Sequence, residues 1–455
     1  MARLFGTDGI RGRANDTLTP ELAFRVGRAH GCLVKEQFKG DGSEQTCKRP
    51  VIAVGRDTRT SGQLLQYSYV CGLISSGVNA LCLEVIPTPG VAWAIRRYNT
   101  QGGCVISASH NPFYDNGLKL IGADGYKLSD EQEDELEELI AKAEELPRAI
   151  EGNIGAIIDG QEAQREYADY VTGIAKIRLD GLNIVLDCAN GASSALAENI
   201  FRHLGAHVTV LHSHPNGTNI NNQCGSTHPE SLQSVVVSLG ADFGLCFDGD
   251  ADRCLACDEK GQMIDGDHML LLFGKWLDKE DKLSGKRIVT TVMANLGLEE
   301  ACKANGFEMA RTAVGDRYVL EEMRRSGSVL GGEQSGHIIF LDYATTGDGL
   351  VTGVMLSQII KDNGKPLSEL AKAVEKKPQY MVNVKVKDKH TWNSHQRVNE
   401  AVKAVEESLK GKGRLLVRPS GTENLIRVMA EGPSLPELKG LVDSICQVVA
   451  ECCSD

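Results

Sequence analysis

The chain has 455 residues, too many for a single hydrophobic core, so three or four domains are expected. Its net charge of −12 argues against nucleic acid or an anionic membrane surface as the main partner. No run approaches the ~20 apolar residues of a membrane span, and residues 1–6 hold no apolar core of signal-peptide length, which points to the cytoplasm.

Strands and helices alternate along most of the chain, the mark of an α/β class with mixed, largely parallel sheets. Apolar runs at 51–54, 184–186 and 288–292 read as opening strands, each followed by a small or polar turn and a helix-compatible segment. Later in each block a second apolar run meets a loop rich in chemistry. The run 104–106 leads to Ser107-Ala108-Ser109-His110-Asn111-Pro112, and the run 243–247 leads to Asp248-Gly249-Asp250-Ala251-Asp252-Arg253. The run 328–330 leads to Gly331-Gly332-Glu333-Gln334-Ser335-Gly336-His337. This order predicts one α/β unit used three times, each copy with its own loop. Ligands of open α/β sheets bind beyond the carboxyl ends of the strands, so the three loops are expected around a shared cleft.

The acidic stretch 129–146 carries Leu136, Leu139, Ile140 and Ala143 at helical spacing behind Ser129, a suitable N-cap, and predicts a surface helix. The polar insert 38–49 reads as a mobile loop. Past a turn at 361–366 the pattern changes to a smaller α+β domain. It has strands near 380–386, 415–417 and 425–429 and helices at about 396–410 and 435–450. The expected domain limits are 1–155, 156–255, 256–368 and 369–455. Fourteen cysteines are scattered along the chain, most of them in apolar runs as small core residues. Cys254 and Cys257 form a lone CxxC without a second half, a poor zinc site. Cys452 and Cys453 fall in a tail expected to be mobile.

Three carboxylates within five residues at a strand's end raise one another's cost of ionising unless a cation sits among them. At i, i+2 and i+4, with small residues between, Asp248, Asp250 and Asp252 can turn their oxygens onto one hard metal ion. Arg253 stands where an EF-hand loop needs glycine, so that pattern fails, with calcium and magnesium both still open.

Ser109 lies just past a strand, and Pro112 pushes Asn111 away from helical backbone. That predicts an exposed hydroxyl on a rigid turn, as a nucleophilic or phosphorylated serine needs. Adjacent residues such as Ser109 and His110 seldom face each other as a catalytic pair. No Gly-x-Ser-x-Gly elbow surrounds Ser109, so an acyl-transfer hydrolase is disfavoured. Lys119 reads either as a surface lysine or as a group that holds a phosphoryl or moves a proton.

Glu333, Ser335 and His337 alternate, and in an extended segment they would point the same way as a comb for sugar hydroxyls or an amine. Gly315-Asp316-Arg317 precedes a helix and would add a basic contact. Arg418-Pro419-Ser420-Gly421-Thr422-Glu423 combines a guanidinium, two hydroxyls and backbone N–H groups freed by glycine, an anion nest to which Arg427 can return. It is not a P-loop.

From Phe5-Gly6-Thr7-Asp8-Gly9-Ile10-Arg11-Gly12 to the turn after Arg418, these motifs in this order resemble the α-D-phosphohexomutases over essentially the whole chain. The resemblance implies three related α/β domains and a smaller fourth around a central cleft. It implies a phosphorylated serine at Ser109, and Mg²⁺ on Asp248, Asp250, Asp252 and a Ser109 phosphoryl oxygen. Gln334 and the segment Asn221-Asn222-Gln223-Cys224-Gly225-Ser226-Thr227-His228-Pro229 favour the glucosamine-phosphate branch. That branch implies interconversion of glucosamine 6-phosphate and glucosamine 1-phosphate through a 1,6-bisphosphate, supplying an amino-sugar precursor for cell-wall synthesis. Glucosamine 1,6-bisphosphate or glucose 1,6-bisphosphate would be the phosphorylating activator.

On that mapping Arg11, His110, Lys119 and Arg253 stabilise charge or carry protons. Gly315, Asp316, Arg317, Glu333, Ser335 and His337 meet the sugar, and Arg418, Ser420, Gly421, Thr422 and Arg427 grip a phosphate. The partner is a small hexosamine phosphate, with a homodimer allowed. Asn424 departs from a usual proline, which would loosen the phosphate turn, and the insert at 40–48 is longer than usual. The nearest rival is a phosphomannomutase or phosphoglucomutase with the same mechanism. A non-catalytic sensor would have lost Ser109 or an aspartate of the triplet, and a metal-dependent phosphatase would release inorganic phosphate.

Overall fold

Short apolar runs form the central strands, and their side chains are buried on both faces. In the first sheet Val51–Arg56 lies between Asn79–Val85 and Gly102–Ile106, parallel to both. Asp115–Gly122 then returns antiparallel to Gly102–Ile106. The second sheet repeats this plan. Asn183–Asp187 lies between His207–Leu211 and Phe243–Phe247, and Cys254–Asp258 runs antiparallel to Phe243–Phe247. In the third, Arg287–Thr291 lies between Glu308–Thr312 and Leu330–Gly332, with Ile338–Phe340 antiparallel to Leu330–Gly332. The thrice-used α/β unit expected from the sequence is therefore present. In each copy the chemically loaded loop joins the third strand to the antiparallel fourth.

The computed structural model describes residues 3–6, 8–39, 49–420 and 424–453. The three sheets belong to one unit, Met1–Met293 with Gly306–Ala373. Its first sheet is flanked by the helices Pro20–Lys39 and Ser61–Ser76, whose backbones touch: a Cβ on Gly27 would lie 2.0 Å from the Tyr69 carbonyl oxygen. The acidic helix runs over Asp130–Ala141, shorter than expected, and buries Leu136 and Ile140. Ser129 caps it as expected, in a reciprocal box with Gln132.

The second unit comprises Ala294–Asn305 and Val374–Asp455. Its sheet orders Gln379–Lys385, Leu425–Glu431 and Arg414–Pro419, all antiparallel, with helices Gln396–Leu409 and Leu435–Cys453. The helix Leu296–Ala304 belongs here because Glu431, fully buried, accepts from Leu296 N at 3.1 Å and Asn295 Nδ2 at 3.2 Å. Arg414 Nε at 2.6 Å neutralises that carboxylate. The tail cysteines differ from expectation: both lie in the last turn of a helix, and Cys453 is buried in the core with Val442 and Val449. Apolar spacing carries that helix further than composition suggested.

The insert residues 40–48, Thr7 and the turn residues Gly421, Thr422 and Glu423 lie outside the described residues. Among the described residues, no helix is long and apolar enough to cross a membrane.

Candidate active site

Ser109 adopts left-handed backbone, φ +52°, which is uncommon outside glycine and costs roughly 1–3 kcal/mol. Its surroundings hold it there. Its N–H donates to Ser107 Oγ at 2.9 Å, and its carbonyl accepts from Arg59 Nη2 at 2.9 Å and Asn221 Nδ2 at 2.8 Å. Ser107 Oγ and Arg59 Nε both donate to Asp57 Oδ2, at 2.6 and 2.8 Å. Burial pushes the Asp57 carboxyl up, and Arg59 opposes that. The hydroxyl is not exposed, as the sequence suggested, but buried. Ser109 Oγ donates to Asp248 Oδ2 at 2.6 Å, from the loop of the second sheet. Gly249 permits this approach, since a Cβ there would lie 2.6 Å from the Ser109 carbonyl oxygen.

Asp248, Asp250 and Asp252 are all buried, with one oxygen of each within 4.8 Å of the others. Burial, then Asp252 and Asp250, push Asp248 well above the usual carboxylate range, as the crowding argument requires. Burial also penalises Asp252, but His337, Lys119 and Arg253 outweigh it and hold that carboxyl below the usual range. Oδ1 of Asp250 and Oδ1 of Asp252 are buried without a hydrogen-bond partner. Such orphaned oxygens call for a cation, and an all-oxygen donor set suits a hard one.

Lys119 is buried, not a surface residue. Its Nζ lies 2.8 Å from Asp250 Oδ2, 3.2 Å from Asp8 Oδ2 and 4.0 Å from Asp252 Oδ2. Burial works against its charge, yet Asp250, Asp8 and Asp252 together raise its pKa. Asp8 also pairs with Arg11 and, at 2.5 Å, with Lys127, which reaches Asp316 at 2.7 Å. Asp8, Lys127, Arg59 and Thr88, whose Oγ1 donates to Asp250 Oδ2 at 2.6 Å, escaped the sequence reading as site residues. Asp8 lies in the segment Phe5 to Gly12, three residues before Arg11. Lys127 carried no local signal.

His110 does face its neighbour, with Nδ1 3.3 Å from Ser109 Oγ. Burial, then Arg253 and Arg11, pull its pKa down to about 4, so it is neutral near pH 7. Arg253 donates its backbone N–H to Asp248 Oδ1 at 3.2 Å.

Residues 333–337 are not an extended comb. They form a tight hairpin turn in which Gly336 N–H donates to the Glu333 carbonyl at 3.0 Å, with Gly336 at φ +88°. The turn still sets Glu333 opposite His337, whose carbonyl accepts from Glu333 N–H at 2.9 Å. Glu333 Oε1 accepts from Gly315 N–H at 3.2 Å, and Ser335 Oγ is buried without a partner. His337 accepts from Gly347 N–H on Nε2 at 3.0 Å, so Nδ1 carries the proton that faces Asp252 Oδ2 at 3.6 Å. Arg317 turns to Asp130 at 2.6 Å and Glu321 at 2.8 Å. A cavity of about 460 Å³ shares Lys127, Asp316 and His337 with this network.

In the second unit Arg418 and Arg427 are direct cross-strand partners at one end of the hairpin. Ser420 is buried, and its N–H donates to the Leu425 carbonyl at 2.9 Å. Of the predicted phosphate grip, Gly421 and Thr422 lie outside the described residues.

Four domain families of phosphoglucomutase/phosphomannomutase match in order. Alpha/beta/alpha domains I, II and III match residues 2–147, 165–261 and 265–377, and the C-terminal domain matches 381–448. A phosphoglucosamine mutase of Brevibacillus brevis is 50% identical over 452 residues, covering 99% of each chain. A solved phosphoglucomutase/phosphomannomutase family protein from Burkholderia thailandensis superposes with a TM-score of 0.81 at 26% identity, over 99% of this chain and 98% of that one. The fold is shared more distantly with Aspergillus fumigatus N-acetylphosphoglucosamine mutase, crystallised with GlcNAc-6P and magnesium. There the TM-score is 0.70 at 17% identity, over 98% of this chain and 95% of that one. With all four domains matched and half its residues shared end to end with such a relative, the chain belongs to the phosphoglucomutase/phosphomannomutase family and, within it, to the phosphoglucosamine mutases.

Proposed function

We propose that this mutase interconverts glucosamine 6-phosphate and glucosamine 1-phosphate by passing a phosphoryl group between Ser109 and the sugar. One observation carries the assignment of the residues: Ser109 Oγ, 2.6 Å from Asp248, beside the orphaned Oδ1 atoms of Asp250 and Asp252. In the first half-reaction the sugar's free hydroxyl attacks the phosphoryl group on Ser109. The P–O bond to Oγ breaks, and the hydroxyl proton leaves to a basic group. The product is a 1,6-bisphosphate. It reorients, and Ser109 Oγ then attacks the other phosphate, restoring the phosphoserine and returning a proton to the sugar oxygen. Glucosamine or glucose 1,6-bisphosphate would phosphorylate Ser109 at the outset.

Asp248, Asp250 and Asp252 would hold Mg²⁺, which when bound neutralises charge on the transferring phosphoryl oxygens. Lys119, enclosed by carboxylates, supports the reading of a fixed positive charge. Arg11 and Arg253 add to it. Neutral His110, within reach of Ser109 Oγ, is suited to carrying a proton. Glu333, Ser335, His337 and the segment Gly315, Asp316 and Arg317 would read the sugar. Arg418, Ser420, Gly421, Thr422 and Arg427 would hold the phosphate that is not transferred. The setting is the cytoplasm, where the product feeds amino-sugar synthesis.

Ser109→Ala should abolish turnover and leave the fold intact, and intact-mass measurement of fresh protein should find a phosphate on Ser109. Near-normal activity of that variant would sink the reading. Side-by-side turnover on glucosamine, glucose and mannose phosphates tests the sugar.

A further inference from the structure

Away from the Ser109 hydroxyl, the second sheet gathers three metal-binding side chains that no step above uses. Asp187 ends the strand Asn183–Asp187, His212 directly follows its parallel neighbour His207–Leu211, and Cys224 precedes the short 3-10 turn Gly225–Thr227. One donor atom from each lies within 4.8 Å of the others. Asp187 and Cys224 are buried, while the His212 side chain is 31% exposed, which leaves a route from solvent.

The backbone is bent to bring them together. Ala189, His212 and Gln223 all adopt left-handed conformations, at φ +52°, +47° and +51°. Asp187 is oriented by Ala189 N–H on Oδ1 at 2.9 Å and Gly225 N–H on Oδ2 at 3.0 Å. His212 Nδ1 lies 3.0 Å from Asp187 Oδ2, and that carboxylate raises the imidazole's pKa, so a cation bound there displaces a proton. A cysteine–histidine–aspartate nucleophile does not fit. Burial, then Asp187, push the Cys224 thiol up to about 12, whereas a nucleophilic thiol is shifted down.

We propose that Asp187, His212 and Cys224 form a site for a borderline-soft divalent cation of the zinc class, with one oxygen, one nitrogen and one sulfur ligand. The fourth position falls to water. The mixed donor set separates it from the all-oxygen aspartate triplet, which favours a harder ion. Ions of this class bind such donors at about 2.0–2.3 Å, and binding releases the thiol proton. The ion would brace the segment that steadies the serine loop, because Asn221, just ahead of Cys224, donates to the Ser109 carbonyl.

The test uses the full chain, stripped of metal by a chelator, supplied with excess Mg²⁺ for the aspartate triplet, and titrated with Co²⁺ alone. One Co²⁺ per chain should bind, with a thiolate-to-cobalt charge-transfer band in the near ultraviolet, visible bands of tetrahedral strength and a rise in unfolding temperature. Cys224→Ser and His212→Asn should both remove the bands while Mg²⁺-dependent turnover persists. Asparagine tolerates the left-handed backbone at 212, so His212→Asn decides the matter even if Cys224→Ser fails to fold. Absence of the charge-transfer band in the unmodified chain, or its survival in His212→Asn, overturns the proposal.

Discussion

Arg418 and Arg427 stand directly opposite each other on antiparallel strands, so their side chains share one face of the sheet. Two guanidiniums so placed offer an anion a two-sided, charge-assisted grip. Arg427→Gln should leave the thermal midpoint nearly unchanged. It should lower kcat/KM by roughly 10- to 150-fold, the worth of a charge-assisted hydrogen bond of about 1.5–3 kcal/mol. Steady-state kinetics beside a melting curve separates the two effects.

Lys119 is the counter-ion of a buried acidic cluster. Lys119→Met leaves Asp8 and Asp250 facing each other without it, and breaking a buried pair in this way costs about 3–5 kcal/mol. Urea unfolding should register that loss. Excess Mg²⁺ should recover part of the stability, because a cation among the aspartates replaces some of the missing charge, but turnover should stay lost.

Gly249→Ala tests how tightly the two loops must approach. The new methyl group would meet the Ser109 carbonyl oxygen at 2.6 Å and Asn221 Nδ2 at 2.8 Å, so the serine loop has to move. A displacement of about 1 Å at a reacting centre costs on the order of 10²-fold in rate. Turnover should fall by that order while circular dichroism stays unchanged.

His30 makes stability depend on pH. Its ring is buried with Nδ1 2.5 Å from Tyr69 Oη, and burial pulls its pKa down to about 4, against 6.5 when exposed. As pH falls below 6.5 the unfolded chain takes up a proton that the folded chain refuses until about pH 4. Stability is thus complete above that window and declines through it, by about 3 kcal/mol. Urea midpoints at neutral and mildly acid pH should show a smaller drop in His30→Gln than in the unmodified chain.

The sequence announced the threefold unit because each copy repeats an apolar strand and a loop whose chemistry depends on neighbours in the chain. The aspartate triplet is local in this sense, and so is the turn carrying Ser109, although its left-handed backbone was not foreseen. What the sequence left unread is what tertiary contact creates. The partnership of Lys127 with Asp8 and Asp316 joins residues far apart in the chain. The same holds for Asp187, His212 and Cys224, which no spacing rule connects. The alternation of Glu333, Ser335 and His337 misled, because a period of two was read as extended backbone while Gly336 allows a turn. The pairing of Arg317 with Asp130 on the acidic helix was likewise out of reach of local sequence, since the two lie far apart in the chain.

The seclusion of Ser109, only 1% exposed, bears on what becomes of a phosphoryl group held there. A hydrolase and a mutase can share every charged group around such an ester. They part over which nucleophile gets there first. Bulk water at high concentration wins at an open surface, and only a hydroxyl delivered with its own binding energy wins in a closed one. On the mechanism proposed for Ser109, burial against Asp248 would bias the chemistry toward transfer between sugar oxygens and away from loss of phosphate to solvent.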